Sequence, residues 1–400
     1  MRKMDMVRIN RMSRIPKVIL LIERSRTFGR GLLHGIIQYS NLHGPWLFYM
    51  KPEFYRQGKK ESHKWFNALD VDGIIAHTWD TDLINSIVNF GLPAIICGLE
   101  KPRRNAYRLL TDEFAVGRMA AEYFLERGFK QFAYCGFDDM IWSQQKCHGF
   151  KCTLAKSGFE LYVYRQPIAK HPHKADKEQI HLATWLKSLP KPVSLMTCND
   201  DRGIDVLAAC KITGLKVPEQ IAILGVDNDE LICNFSHPQL SSIALSTERA
   251  GYEAAKVLDK LIRGQKIAEN EKEIFIHPLH IVTRQSTNIM AIEDRQVAEA
   301  VNFIHKNSRK MLQVKDVVEA VGLSRRALEQ RFRKVLSRSV YEEIKYNRVN
   351  LMASMLIGTH LSLSQIGRLL GYPDTSNISH YFKQKKGISP SDYRKKFAPK

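Results

Sequence analysis

Residues Leu361–Lys396 read LSLSQIGRLLGYPDTSNISHYFKQKKGISPSDYRKK, and this stretch decides how the end of the chain folds. Apolar residues at helical spacing predict a short helix over Ser364–Leu370, with Ile366, Leu369 and Leu370 on its buried stripe. Gly371, Tyr372 and Pro373 then break it, because glycine tolerates the turn and proline cannot extend a helix interior. A second helix starts after Asp374, which can cap it, with Thr375 and Ser376 in the first turn. Its core side is Ile378, Tyr381 and Phe382, leaving Thr375, Ser376, Asn377, Ser379, His380 and Lys383 outward. Helix, tight turn and a second helix with a polar, basic outer face is the plan of a helix-turn-helix, whose second helix enters the DNA major groove.

Working outward, the same plan occurs once earlier. Val314–Val321 is an apolar-periodic helix, Gly322 and Leu323 turn, and Ser324 caps the helix of SRRALEQRFRKVL. Leu328 and Phe332 point inward there, and Arg325, Arg326, Glu329, Gln330 and Arg333 point out. A longer helical run, Tyr341–Leu356, lies between the two units, and G-I-S-P-x-x-Y-R closes the domain at Gly387–Arg394. This paired pattern resembles the DNA-binding domain of the AraC/XylS family over about the last 105 residues. Two positions depart from it: Gly367 stands where the family has Ala, and Tyr372 where it has Phe. The resemblance implies DNA contacts from Ser324, Arg325, Arg326 and Gln330 in the first unit. In the second it implies Thr375, Ser376, Asn377, Ser379, His380 and Lys383.

Charge points to the same end of the chain. The 400 residues carry a formal +20, which favours a polyanionic partner. Asp294–Lys400 holds 21 Lys/Arg against 9 Asp/Glu, and Met1–Lys17 holds 6 against 1, so the middle is nearly neutral. No signal-peptide core and no apolar run of about 18 residues is present, so no membrane partner is expected. The seven cysteines, Cys97 to Cys233, show neither a C-x-x-C pair nor a zinc spacing, which reads as reduced thiols in a cytoplasmic protein. Residues 1–15 read as a basic, disordered tail.

From Pro16 the chain alternates strands and helices. KVILLIE, WLFYM, VDGIIAHT, PAIICGL, QFAYCGF, SLMTCND and IAILGVD read as strands, with amphipathic helices between them. Continuous apolar strands alternating with helices mean parallel sheets covered on both faces, and about 270 residues suit two α/β lobes. Thr111–Gly128, Asn199-Asp200-Asp201 and G-V-D-N-D-E at Gly225–Glu230 resemble the sugar-binding core of the LacI/GalR family and the related periplasmic binding proteins. Such a core joined to an AraC-type tail resembles the xylose-responsive group of regulators. The expected fold is therefore an α/β two-lobed periplasmic-binding-protein-like core over 16–285, parallel sheets flanked by helices. A linker over 286–293 leads to an all-α C-terminal domain with two helix-turn-helix units over 294–397.

Open α/β sheets bind ligands at the carboxyl ends of their strands, and two-lobed proteins bind them in the cleft. The strand ends deliver Phe28, His77, Trp79, Trp142, Ser143, Lys146, Asn199, Asp200, Asp227 and Asn228. Carboxylates, amides, a cation and aromatic faces are what a pyranose needs. By resemblance, Lys146 occupies the place of a sugar-contacting Arg, Asp227 matches the sugar-binding Asp, and Asn199 its amide. For Asp200 the bland alternative, a helix-capping role, stays open. The resemblance further implies a sugar effector, a duplex DNA operator, a homodimer, and RNA polymerase as partner if the protein activates. No cofactor and no metal is expected.

Two competing readings are weaker. Gly29, Gly31 and Gly35 after a strand, with Glu53 ending the next, could bind a nicotinamide dinucleotide, but the spacing is G-x-G-x-x-x-G and the turn is too long. A sugar receptor serving a transporter would need export and has no use for a basic tail. His171-Pro172-His173 could hold a metal, but its setting is a surface loop. No nucleophile elbow, H-E-x-x-H or P-loop occurs, which argues against an enzyme.

Overall fold

The computed structural model describes residues 15–50, 70–99, 101, 103, 106–167, 175–268, 271–289, 294–308, 310–336, 338–358, 361–372 and 376–397. The basic tail, Glu53, the His171–His173 loop and Pro373–Thr375 lie outside them. The strands in chain order are β1 (Lys17–Leu21), β2 (Leu47–Met50), β3 (Gly73–His77), β4 (Ala94–Cys97), β5 (Ala106–Thr111) and β6 (Phe132–Cys135). They continue as β7 (Tyr162–Val163), β8 (Val193–Thr197), β9 (Ile221–Val226), β10 (Ser241–Leu245), β11 (Glu273–Ile276) and β12 (Pro278–Val282). The helices are α1 (Thr27–His43), α2 (Thr81–Phe90), α3 (Glu113–Glu126), α4 (Ile141–Ala155), α5 (Ala175–Ser188), α6 (Asp200–Thr213), α7 (Glu230–Phe235) and α8 (Thr247–Ile262). The tail adds α9 (Arg295–Lys306), α10 (Val314–Val321), α11 (Arg325–Leu336), α12 (Val340–Gly358), α13 (Leu363–Leu369), α14 (Ser376–Lys386) and α15 (Pro390–Phe397).

Two compact units divide these elements, exchanging chain after Asp112, Leu245 and His277. The first holds a sheet of order β11-β5-β4-β3-β1-β2, parallel throughout. Val18, Ile19, Ile74, Ile75, Ile95 and Ile96 are buried on both faces, as an apolar run in a covered parallel sheet requires. The glycines that could suggest a phosphate cradle serve packing instead. A Cβ on Gly35 would stand 1.8 Å from the Glu248 carbonyl oxygen, and one on Gly251 2.1 Å from that of Leu32. Glycine on both helices lets α1 and α8 touch backbone to backbone.

The second unit holds a sheet of order β12-β10-β9-β8-β6-β7, with only β12 antiparallel. Its core gathers Ala133, Cys135, Leu195, Val206, Ile221, Ile223 and Leu240. Ser286 and Thr287, expected in the linker, are fully buried here. Ser286 Oγ donates to the Ile223 carbonyl at 2.6 Å, and the Thr287 and Ser241 hydroxyls pair at 2.7 Å. The core therefore runs through Thr287. Between α3 and α4 glycine again permits contact: a Cβ on Gly117 would lie 2.1 Å from the Lys146 carbonyl oxygen, and one on Gly149 2.3 Å from that of Phe114.

The tail belongs to the second unit and carries two apolar cores. Val297, Val301, Val317, Leu328, Phe332 and Ile344 form one. Val349, Met352, Leu356, Ile366, Leu370 and Phe382 form the other, with Leu279 of β12 packed against it. Helix α12 feeds both, its first half entering one core and its second half the other. Leu369, expected on the buried stripe, is 56% exposed, and Gly367 takes the inner position. Arg348 of α12 is buried, donates to the Leu370 carbonyl, and lies 4.0 Å from the Tyr372 ring centroid. The tyrosine in the family's Phe position thus serves as a face for a buried cation.

Candidate functional site

In the second unit, charged groups converge at the carboxyl ends of β6, β8 and β9. Lys146, on the first turns of α4, is 4% exposed and pairs with Glu113 Oε2 at 3.0 Å. Its ammonium also lies 4.5 Å from the Trp142 ring centroid. Burial alone would lower its pKa, but the carboxylates of Glu113 and Asp227 outweigh that and hold it above the ordinary lysine value. Asp227 is pushed up to about 6, chiefly by burial, against the pull of Lys146. One ammonium thus serves two carboxylates, the buried Glu113 and the half-buried Asp227. Removing it would leave uncompensated buried charge, a loss of about 3–5 kcal/mol.

Backbone strain presents Asp227. It sits at φ 98° and Asn228 at φ 50°, two consecutive non-glycine residues in left-handed space just after β9. Three hydrogen bonds hold the kink. Asp227 N–H donates to the Ile243 carbonyl at 2.9 Å, Asn228 N–H to Ser242 Oγ at 2.9 Å, and Arg284 to Asn228 Oδ1 at 2.9 Å.

Other expected site residues are engaged within the protein. Asp200 accepts the Asp229 N–H at 2.7 Å and the Ser242 hydroxyl at 2.5 Å, and burial together with the Asp227 charge raises its pKa well above normal. Ser143 Oγ accepts the Phe137 N–H at 2.9 Å, fixing the turn between β6 and α4. Asn199 caps α6 by accepting the Arg202 N–H at 2.9 Å through its carbonyl oxygen, so its amide nitrogen is the donor the cap does not use. Glu113 and Arg284 were not expected here. Glu113 lies inside the quoted Thr111–Gly128 stretch, where an acid in a first helical turn reads as ordinary dipole pairing.

The first unit contributes a different surface. Phe28 and His77 lie in tilted contact with ring centroids 4.7 Å apart, and burial pushes the His77 pKa down to about 4, so its imidazole is neutral at pH 7. Trp79 is 47% exposed.

On the tail, both helix-turn-helix units form as their sequences dictate. Gln313 N–H donates to Asp316 at 2.7 Å at the start of α10, and Gly322 turns at φ 71°. Ser324 Oγ accepts the Ala327 N–H at 3.2 Å and caps α11. Arg325, Arg326, Gln330 and Arg333 are exposed; Glu329 is half-buried and accepts the Val340 N–H at 3.3 Å. In the second unit Ser362 and Gln365 cap each other reciprocally at 2.7 and 3.2 Å. On α14, His380, Lys383 and Lys385 are exposed and Ser379 is half-buried. Thr375 and the side chains of Ser376, Asn377 and Ile378 lie outside the described residues.

Comparison with known proteins fits both halves. A periplasmic binding protein-like domain matches residues 121–287, and a helix-turn-helix domain matches 317–396. The xylose operon regulatory protein of Haemophilus influenzae is 29% identical, the match covering 94% of this chain and 98% of that protein. Its counterpart in Escherichia coli K12 is 26% identical over 94% of this chain and 96% of its own length. A solved structure of the xylose-binding transcription activator XylR matches at TM-score 0.60 and 25% identity, over 96% of this chain and 99% of that one. The chain is a two-part transcriptional regulator of the XylR type. Its core shares the fold of a cellobiose-bound regulator, CelR, at TM-score 0.53 over 70% of this chain and 88% of that one. The relatives are regulators, not enzymes. Among the described residues of this regulator, no helix is long and apolar enough to cross a membrane, and no His/Cys/Asp/Glu group could hold a metal ion.

Proposed function

We propose that this regulator activates genes of pentose catabolism when a xylose-like sugar occupies the polar strand-end site of the second unit. It works in the cytoplasm as a homodimer, each tail reading one half-site of a duplex operator, and bound sugar favours contact with RNA polymerase. The Lys146–Glu113–Asp227 cluster carries this reading. It keeps charge buried, pre-organised and aimed by a strained turn at the end of a parallel strand, where open sheets take ligands.

Asp227 accepts two sugar hydroxyls, Lys146 donates to a third oxygen, Asn199 donates through its amide, and Trp142 supplies an apolar face for sugar C–H groups. Asp200, Ser143 and Asn228 act one step back, holding the turns that present these groups. For Phe28, His77 and Trp79 the sugar reading rests on sequence alone. Arg325, Arg326 and Gln330 read bases from α11, and Lys383 with His380 places α14 against the backbone.

Calorimetry with D-xylose tests the pocket. Charge-assisted hydrogen bonds are worth about 1.5–3 kcal/mol each, so Asp227→Ala should weaken binding at least tenfold. An unchanged dissociation constant moves the sugar elsewhere. Sedimentation showing only monomer at micromolar concentration, with and without xylose, removes the dimer.

A further inference from the structure

Helix α3 has a functional residue at each end. Glu113 opens it and pairs with Lys146 in the charged cluster. Glu126 closes it and meets the DNA-binding tail: its carboxylate accepts the Tyr346 phenol hydroxyl, and its backbone carbonyl accepts Arg338 at 3.4 Å. The two ends are about 20 Å apart by helical rise.

The tail's side of this contact is built, not incidental. Arg338 also pairs with Glu343 at 2.5 Å and lies 5.6 Å from the Tyr346 ring centroid. Within α3, the Gly117–Gly149 contact presses the helix backbone onto α4, and Val116, Ala120 and Phe124 are fully buried. A helix clamped in this way moves as a body rather than bending. Its far end has room to shift, because a cavity of about 570 Å³ borders the contact, lined by Met119 and His280 on one side and Asn350 and Lys386 on the other.

We infer that α3 is the transmission element of the regulator, with the Glu126–Tyr346 hydrogen bond as the contact that hands the sugar signal to the tail. The inference rests on the sugar reading proposed above. Sugar hydroxyls competing for Lys146 change how Glu113 is held, and the clamped helix carries that change to the seat of α12. Coupling of this kind is reciprocal: whatever factor xylose lends to operator binding, operator lends to xylose binding.

The test compares wild type with Tyr346→Phe, Glu126→Ala and Glu126→Gln, all as full chains. The probes are D-xylose and a duplex selected by the wild-type protein from a randomised pool. Operator affinity is measured with and without xylose, and xylose affinity without DNA. Tyr346→Phe and Glu126→Ala should cut the xylose-induced change in operator affinity about fivefold or more, with xylose affinity in the absence of DNA within twofold of wild type. Glu126→Gln keeps an acceptor for the phenol and should retain most of the response. A purely structural role would weaken operator binding equally with and without sugar, leaving the ratio intact, and that result overturns the inference. A wild type indifferent to xylose overturns the sugar reading together with it. A responsive wild type whose response survives in both Tyr346→Phe and Glu126→Ala overturns the transmission role alone.

Discussion

The first helix-turn-helix unit sets Arg325, Arg326, Gln330 and Arg333 on the open face of α11, whereas the second offers His380, Lys383 and Lys385 on α14. Inside, the two are alike. Each opens on a side-chain cap, turns at a left-handed glycine, Gly322 or Gly371, and seats one phenylalanine, Phe332 or Phe382, in its own core. The difference teaches that the repeated interior answers to the fold, whereas the exteriors are free to differ, as the division of labour on DNA proposed above requires. A guanidinium fork can read guanine O6 and N7 together, while an ammonium finds phosphate.

The largest effect tests whether the interiors are as separate as their side chains. Phe332→Ala and Phe382→Ala should each cost about 3–5 kcal/mol, with amide exchange accelerated only in the unit that lost its ring. Exchange that accelerates in both units from either substitution would merge the two cores. Next comes the exterior. Arg326→Ala should cost about 1–3 kcal/mol at one base pair and relax preference there, as footprints on a randomised operator library would reveal. Should His380→Ala alter the selected sequence while Arg326→Ala leaves it untouched, the order of the two faces is reversed. The smallest effect is at Lys383: replacing it with Ala should weaken all sequences alike and flatten the salt dependence by about one ion. Base-specific loss there would make the second face a reader too.

Much of this architecture is legible in the sequence, for a definable reason. Six of the seven strands read from sequence are nearly continuous apolar runs buried on both faces, such as Val18–Leu20 and Ile221–Val226; the seventh, β2, is a partly exposed edge strand. Strands β5, β7, β10, β11 and β12 escape that signal, β7 because it is only two residues long. In β10, Ser241 and Ser242 are fully buried because their hydroxyls are satisfied by Arg284 and Asp200, partners that only the folded chain supplies. Strands β11 and β12 are edges, and the partly exposed AYRLLT and PLHIV lack the continuous apolar pattern. Leu369 fails for another reason: helical spacing gives a stripe its width but not its centre, which here falls on Ile366, Gly367 and Leu370.

The candidate site divides in the same way. Lys146 and Asp227 stand out by type and position, but Glu113 looks like any acid in a first helical turn until α4 brings Lys146 to it. For Asp200 the sequence leaves a structural role open beside the sugar reading, whereas the family match favours Asp227. The Asp229 N–H and the Ser242 hydroxyl, from elsewhere in the chain, engage Asp200 in the interior.

The backbone contact at Gly117 and Gly149 sets a limit on how this regulator can diversify. Both glycines lie within four residues of a member of the charged cluster, Glu113 or Lys146, inside the window that a library randomising the proposed sugar site would cover. Even alanine at either position collides with a main-chain atom of the opposite helix, which no rotamer change relieves. In a deep mutational scan these two columns should be blank in every genetic background, including backgrounds in which Glu113 and Lys146 have themselves been exchanged for a new ligand. Specificity can drift around them, but only on a helix pair whose spacing is fixed.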